Sequence, residues 1–205
     1  MLGFLGARFG HSTAAGADAK AQDPAAARRA MLIPLAAAQF LASYDTSSMN
    51  VAISSIVEDL DTTVTGVQTA LSVFTLTMAA LMIPGSKLTD IWGRKRCFVM
   101  GLWIYGTGAL ITALAPVLGV MVLGFSILEG VGSALMIPPI YIIITVTVTD
   151  LAARAKAFAV VSAMAGLGSA AGPLIGGLIT TTITWRASFA LECWPSSGCS
   201  RCAVA

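Results

Sequence analysis

Residues 86–95 read SKLTDIWGRK, at the end of one long apolar stretch, residues 64–88, and just before the next, residues 97–115. With Arg96, the connection holds an acidic residue, a glycine and three consecutive cations, although only 11% of the whole chain is charged. A soluble domain carries charge on about a quarter of its residues. The low charge and the 57% of hydrophobic residues therefore indicate an integral membrane protein. A net charge of +2 gives no sign of nucleic-acid binding.

Five segments are long and apolar enough to be predicted as membrane spans. A spanning helix needs about 20 mostly apolar residues, because the hydrocarbon core is about 30 Å thick and a helix rises about 1.5 Å per residue. Helices are expected because open strands would leave backbone groups unpaired in lipid. The predicted spans are residues 31–56, 64–88, 97–115, 117–148 and 157–183. We therefore predict an all-α integral membrane fold of about five transmembrane helices, preceded by a flexible tail at residues 1–30.

The positions of the cations predict the orientation in the membrane. Cations precede the first span and occur between spans two and three and between spans four and five, whereas the alternate connections contain only Arg186. Cytoplasmic loops of membrane proteins carry the excess of Lys and Arg. We therefore expect a multi-pass protein of the cell membrane with a cytoplasmic N-terminus.

Orientation accounts for the cations of SKLTDIWGRK but not for Asp90 or Gly93. The stretch resembles the signature loop between the second and third helices of the major facilitator superfamily, approximately GxLxDRxGRK. The positions that match are Leu88, Asp90, Gly93, Arg94 and Lys95. Ser86 stands where the first glycine is usual, with Gly85 one residue earlier. The resemblance implies a cytoplasmic latch loop formed by Asp90, Gly93, Arg94 and Lys95, with a turn at the glycine. A loop that only sets orientation is the alternative.

The fifth span contains GLGSAAGPLIGGLI, which follows the pattern GxxxGPxxGG. Its marked positions are Gly168, Gly172, Pro173, Gly176 and Gly177. Glycine costs helix stability, so its clustering in one span is expected where another helix backbone approaches closely. The pattern resembles the antiporter signature of the same superfamily, and generic packing of small residues is the alternative.

Polar residues inside the first span are candidates for function. In YDTSSMNVAI, Asp45 lies roughly 20 Å into the span. A carboxylate at that depth costs on the order of 3 kcal/mol on insertion scales, so it should face a cavity or a partner. The stretch resembles the first-helix motif of the fourteen-span drug:proton antiporter branch. Asp45 and Asn50 are therefore predicted to take part in proton coupling or to line a substrate cavity, and a role in joining helices is the alternative.

The fourth span offers a further carboxyl group. LGFSILEGVGSALMIPP resembles the fourth-helix motif RxxQGxG of drug exporters, but the arginine of the pattern falls on Ser126 and its glutamine on Glu129. A buried carboxyl group is able to bind and release protons. We therefore include Glu129 among the candidates for proton coupling, and a protonated Glu129 that only hydrogen-bonds a neighbouring helix is the alternative.

Together these motifs resemble the family over residues 31–190. The resemblance implies the N-terminal part of a proton-coupled exporter of drugs or other small molecules that works by alternating access. In the family the substrate cavity lies between two six-helix halves, so this chain alone is not expected to transport. Its expected partners are the lipid bilayer, the proton as coupling ion and, in the full-length parent, a small-molecule substrate. A non-transporting membrane interaction or assembly partner is the alternative.

Enzymatic and metal chemistry are not expected. The sequence has no Ser/His/Asp, paired Cys/His or HExxH arrangement, and its one histidine, His11, lies in the predicted tail. Residues 191–205 change to a polar composition that a truncated or frameshifted reading explains. Cys193, Cys199 and Cys202 in this segment are too few for a four-ligand zinc site. We therefore expect no metal and no cofactor.

Overall fold

The computed structural model describes the backbone of residues 24–192 and the side chains of residues 31–192. No strand occurs within residues 24–192, which confirms the predicted all-α class. The helices are α1 Pro24–Asp59, α2 Val64–Trp92, α3 Arg94–Ala113, α4 Leu118–Thr147, α5 Leu151–Thr182 and α6, residues 185–192. Helices α4 and α5 each contain a π-helical segment, Val122–Glu129 and Gly172–Gly176.

Four of the five predicted spans, α2 to α5, are long and apolar enough to cross a membrane. Helix α1 has 36 residues, which is sufficient in length, but it is not among the helices that meet the hydropathy requirement. The polar stretch YDTSSMN in its middle lowers its mean hydropathy. The prediction of a helix over residues 31–56 was therefore right. Hydropathy by itself supports membrane spans for the other four helices and not for this one.

Helix α1 begins at Pro24, so it includes the backbone of residues 24–30, which were predicted to belong to the tail at residues 1–30. Proline suits the first position of a helix, because its φ is already helical and no N–H is lost from the hydrogen-bond pattern. The alanines and arginines that follow favour helix. Residues 1–23 and 193–205 lie outside the described residues, and so do the predictions for His11, Cys193, Cys199 and Cys202.

Glycines bring α5 into close contact with α1. Gly168 faces the carbonyl oxygen of Phe40, and Gly172 faces Ser47. The residue numbers of the contacting pairs increase together along both helices, so the two helices run parallel. Gly176 continues the row against Ser48. A methyl group at any of these three glycines would collide with α1, so the spacing of four residues sets how near the helices lie.

Helix α4 packs in the same way against α3 and α2. A Cβ atom at Gly101 would lie 2.9 Å from the carbonyl oxygen of Gly132, and one at Gly108 would lie 2.8 Å from the backbone nitrogen of Glu129, which shows that α3 and α4 are antiparallel. On α2, a Cβ atom at Gly85 would lie 2.9 Å from the carbonyl oxygen of Ala134. In the family pattern the glycine falls at position 86, which is Ser86 in this chain. Gly85, one residue earlier, therefore makes the close helix contact here.

Two apolar cores fill the bundle at different heights. The core near the connection between α2 and α3 includes Leu35, Phe98, Leu102, Met136, Ile140, Ile144 and Val161. The core at the opposite end includes Met49, Ile56, Phe74, Met121, Phe125, Trp185 and Phe189. Asp45 on α1 and Glu129 on α4 fall between these two sets along their helices. The level between the cores is where buried polar groups gather.

Candidate functional site

Three carboxyl groups meet in the interior between the two cores. Asp45 of α1, Glu129 of α4 and Glu192 of α6 are 0%, 0% and 1% exposed. One carboxylate oxygen from each lies within 4.8 Å of the other two. We call these three residues the carboxyl cluster. The structure thus brings together two candidates from the sequence and adds a third acid.

Two hydroxyl groups of α3 contact the carboxyl cluster. The Tyr105 hydroxyl donates to Glu192 Oε2 at 3.2 Å, and Thr112 Oγ1 lies 3.1 Å from Glu129 Oε1. Thr112 Oγ1 also lies 2.9 Å from the carbonyl oxygen of Gly108. A hydroxyl has one hydrogen, so when Thr112 donates to Gly108 the remaining bond requires a protonated Glu129 as donor. The contact at Thr112 is therefore sensitive to whether Glu129 carries a proton.

The backbone around Glu129 is shaped to admit this side chain. Glu129 ends the π-helical segment Val122–Glu129, and such segments are frequent at functional sites. A Cβ atom at Gly108 would lie 2.7 Å from Glu129 Cγ, and one at Gly124 would lie 2.8 Å from the Thr112 nitrogen. Glycine at both positions lets α3 and α4 come close enough to bury the carboxyl group.

No basic side chain offsets these acids in the interior. The buried polar residues between 31 and 192 include the three carboxyl groups but no Lys or Arg. Both oxygens of Asp45, Oε2 of Glu129 and Oε1 of Glu192 lack hydrogen-bond partners among the described residues. Two ionised carboxylates 4.8 Å apart repel by about 3 kcal/mol at an effective dielectric constant near 20. The cluster therefore requires bound protons or a cation.

A metal ion is the second species that these oxygens could hold. Carboxylate oxygens suit hard cations, and the cluster is the group of acidic residues between 31 and 192 that is close enough to share one. Ca²⁺ takes about 6–8 oxygen ligands and Mg²⁺ about six, so the three carboxyl groups would fill only part of either shell.

The other predicted site residues lie away from the cluster. Asn50 is exposed and donates from Nδ2 to the Thr46 carbonyl oxygen of its own helix at 2.7 Å. Asp90 is exposed, and within residues 31–192 it forms no ion pair with Arg94. In the predicted latch loop, Asp90 belongs to α2, and Arg94 and Lys95 belong to α3. A connection of one residue joins the two helices.

That connection is Gly93, which has a φ of 93°. L side chains rarely adopt this backbone conformation, whereas glycine does so readily. The Gly93 N–H donates to the Thr89 carbonyl oxygen at 3.1 Å, which ends α2, and α3 begins at the next residue. In the fifth-span motif, a Cβ atom at Gly177 would lie 3.4 Å from Val51 Cγ1, an ordinary contact distance, and Pro173 is exposed.

Sequence reasoning missed Glu192, because it was assigned to the atypical segment 191–205. In the structure it is the last described residue of α6, on which Trp185, Ser188, Phe189 and Glu192 are buried. Their spacing of three and four residues is that of one helix face. This period was the signal that could have extended the predicted bundle to Glu192.

Asp59 holds the beginning of α6 against the end of α1. Its Oδ2 atom accepts from Trp185 Nε1 at 3.0 Å and from two nitrogens of Arg186, Nη2 at 2.7 Å and Nε at 3.2 Å. The Arg186 guanidinium also lies 4.9 Å from the centre of the Trp185 ring. We call Asp59, Trp185 and Arg186 the α6 clamp. The hydrogen bonds from Arg186 and Trp185 lower the pKa of Asp59.

We predict that Asp59→Asn destabilises the chain modestly and in a pH-dependent way. The pair is part exposed, with side-chain exposures of 46% for Asp59 and 34% for Arg186, so solvent limits the loss to below about 1 kcal/mol. Because the pKa of Asp59 is lowered by folding, its contribution is present above the ordinary value of about 3.9 and is lost as the pH falls through the folded pKa.

The measurement is the unfolding temperature of the purified chain and its Asp59→Asn variant between pH 7 and pH 3. The gap between them should begin to close below about pH 4 and should narrow further as the pH falls. Glu58→Gln, which changes an exposed acid on the same turn, serves as the control and should show no such gap. A gap that stays constant over this pH range would contradict the role given to the Asp59 charge.

Comparisons with known proteins agree with the fold and extend through α6. The model of the Major Facilitator Superfamily matches residues 35–194. The puromycin resistance protein pur8 of Streptomyces alboniger is 34% identical over 169 residues, which cover 82% of this chain and 33% of that protein. The cephamycin export protein CmcT of Amycolatopsis lactamdurans is 31% identical over 155 residues, covering 76% of this chain and 32% of that one. The chain thus spans about a third of the length of these relatives.

Solved structures show the same fold at lower sequence similarity. The crystal structure of peptide transporter POT in complex with sulfate superposes with a TM-score of 0.75, covering 85% of this chain and 37% of that one, at 16% identity. This likeness concerns the fold alone. Since the family model matches most of the chain and the fold agrees, the chain belongs to the Major Facilitator Superfamily of multi-pass membrane transporters.

Proposed function

We propose that this chain is the N-terminal part of an exporter of small molecules driven by protons, and that the carboxyl cluster is its proton-binding site. The observation that carries the proposal is the burial of three carboxyl groups within 4.8 Å of one another, with no buried basic residue between residues 31 and 192. Acidic residues inside membrane domains line proton routes in pumps and transporters. Relatives are named as drug-resistance and antibiotic-export proteins, which supports a small-molecule substrate.

Proton binding accounts for the geometry better than a resident metal ion. The Tyr105 and Thr112 hydroxyls each occupy an oxygen of the cluster that a metal would otherwise use. The hydrogen bond between Thr112 and Glu129 also has two states. Thr112 is the donor when Glu129 is ionised, and a protonated Glu129 is the donor when Thr112 donates to Gly108. A proton moving among three nearby acids therefore changes local hydrogen bonds without requiring further ligands.

The arrangement of helices supplies a path from the cluster to a change of shape. Its three acids come from three different helices, α1, α4 and α6, so charging the cluster pushes these helices apart. In this proposal the N-terminus and the latch loop at Gly93 face the cytoplasm, and Asp90 and Arg94 pair in another state of the cycle. The substrate path is completed by a second helical bundle, without which the chain does not transport.

Infrared spectroscopy of the purified chain tests the cluster directly, because a protonated carboxyl group has a C=O stretch separate from that of a carboxylate. At neutral pH we expect a protonated-carboxyl band that is lost in the triple variant Asp45→Asn, Glu129→Gln, Glu192→Gln. The control Glu58→Gln should keep the band, since Glu58 is exposed. Absence of the band, together with a carboxylate shift when Ca²⁺ or Na⁺ is added, would replace the proton by a cation.

Transport is tested in a chimera in which residues 31–192 replace the matching part of the puromycin resistance protein. We expect puromycin uptake into inverted membrane vesicles when a pH gradient is imposed. Asp45→Asn and Glu129→Gln should each lower the gradient-driven rate by about 100-fold or more, a size typical for removing a proton-transfer group, and Glu58→Gln should not. Unchanged gradient-driven uptake in the two cluster variants would overturn proton coupling and leave Asp45 and Glu129 as groups that join helices.

A further inference from the structure

A cavity of about 270 Å³ lies between α1, α2, α4 and α5. The polar part of its lining consists of Gln39, Ser43, Thr46, Ser47, Ser133 and Ser169. Phe74 and Met78 add apolar surface from α2. Among residues 31–192, no Asp, Glu, Lys or Arg lines it. The described lining is therefore uncharged and combines hydroxyl and amide groups with apolar surface.

The cavity and the carboxyl cluster use different faces of α1. Gln39 and Asp45 are six residues apart, and at about 100° per residue their side chains leave the helix in directions about 120° apart. Asp45 is not among the lining residues. A molecule in the cavity is thus held by amide and hydroxyl groups rather than by the acids.

Two polar atoms of the lining lack partners. Gln39 Oε1 and Ser133 Oγ are buried without a hydrogen-bond partner between residues 31 and 192. Gln39 is 9% exposed and Ser133 is 1% exposed. By contrast, the Ser47 hydroxyl donates to Ser169 Oγ at 3.4 Å. A buried polar atom without a partner costs free energy that a hydrogen bond from a ligand would recover.

We propose that this cavity binds uncharged small molecules that combine an apolar ring with hydroxyl or amide groups, and that Gln39 and Ser133 select them. The proposal rests on the function proposed above, since it names the substrate class of the exporter. The Gln39 amide and the Ser133 hydroxyl each pair with either a donor or an acceptor on the ligand. Phe74 and Met78 give the ring an apolar surface.

The uncharged lining contributed by this bundle disfavours a cationic ligand. A cation would lose its hydration in a cavity whose lining has no carboxylate, which is costly without a counter-charge. Pockets for drug-sized ligands have volumes of about 300–1,000 Å³. At about 270 Å³ the cavity holds a small molecule, or one end of a larger one.

The test is equilibrium binding to the purified 205-residue chain in lipid nanodiscs. The neutral probes are chloramphenicol and paracetamol, which carry hydroxyl and amide groups on an aromatic ring, and the cationic probe is tetraphenylphosphonium, which has no hydrogen-bond donor. We expect saturable binding of at least one neutral probe. Gln39→Leu and Ser133→Ala should each weaken it about tenfold, as expected for one lost hydrogen bond.

Matched variants separate binding from folding. Gln68→Leu and Ser72→Ala make the same chemical changes at exposed positions of α2 and should leave binding unchanged. Gln39→Leu removes an unpartnered polar atom, so its unfolding temperature should be equal to or above that of the parent chain while binding is lost. Gln39→Glu should weaken the neutral probe and strengthen tetraphenylphosphonium. Tighter binding of tetraphenylphosphonium than of both neutral probes by the parent chain, or equal losses in the α2 variants, would overturn the proposal.

Failure here is distinguishable from failure of proton coupling. Probe binding should persist in the Asp45→Asn, Glu129→Gln, Glu192→Gln triple variant, because none of these residues lines the cavity. The infrared band of the cluster should persist in Gln39→Leu. If the parent chain shows no saturable binding of either neutral probe but keeps the protonated-carboxyl band, the proposed substrate class is overturned and proton binding by the cluster is not.

Discussion

Replacing Trp185 with alanine is expected to lower the unfolding temperature of the chain by about 10 °C and to detach α6 from the bundle. Trp185 is 2% exposed, stacks edge-on against Phe189 at 6.0 Å between ring centres and donates its N–H to Asp59. Truncating a buried Trp costs about 3–5 kcal/mol, and 1 kcal/mol corresponds to about 2–4 °C in a chain of this size. The loss is large because packing and the α6 clamp fail together.

Trp103→Ala is the matched control, since Trp103 is 57% exposed on α3 and should contribute little to packing. Detachment of α6 should also make Glu192 reactive toward a water-soluble carbodiimide, which a change in stability alone does not predict. Equal, small losses for the two tryptophans, with Glu192 still protected, would show that α6 is held by something other than Trp185.

The second large effect is expected at the glycine row of α5. Gly168→Ala should lower the unfolding temperature by about 5 °C, because the new methyl group collides with the carbonyl oxygen of Phe40 and overpacking costs about 1–3 kcal/mol. A backbone atom cannot swing aside as a flexible side chain can. The helices α1 and α5 must therefore separate, and the level of α1 that holds Asp45 moves with them.

Gly166→Ala provides the control within the same helix. Gly166 has no atom within 4 Å of its added methyl group, so alanine should raise the unfolding temperature by about 2 °C through its better helix propensity. The measurement is thermal unfolding of both variants in the same detergent. Shifts of the same sign would mean that helix propensity, and not the contact with α1, sets the effect of glycine in this motif.

The latch loop illustrates what short-range patterns are able to predict. A glycine between two apolar stretches predicts a turn, and Gly93 has the positive φ that makes a one-residue connection possible. The pairing of Asp90 with Arg94 is a different matter, because it depends on which transport state the helices occupy. It stays a prediction.

The spacing of glycines along a single helix predicted that another helix packs closely against it, but did not predict which helix. The glycines spaced by four residues in α5 predict a close helix, and the structure shows that α1 is the one that Gly168, Gly172 and Gly176 touch. Partner choice depends on the shapes of all helices at once, which no single segment encodes. The same reason explains why Gly85, displaced by one residue from the family pattern, still reaches Ala134.

The sequence by itself determined that this protein is a bundle of membrane-length helices, because apolar runs of that length have few other stable forms in lipid. It also predicted that Asp45 and Glu129 lie deep in the membrane, at a cost that calls for a partner. Only the tertiary structure decided that they face each other, that Glu192 joins them, and that Asn50 does not. The physical reason is that depth in the membrane depends on a residue's position along its own helix, whereas proximity of α1, α4 and α6 arises from packing between segments far apart in the chain.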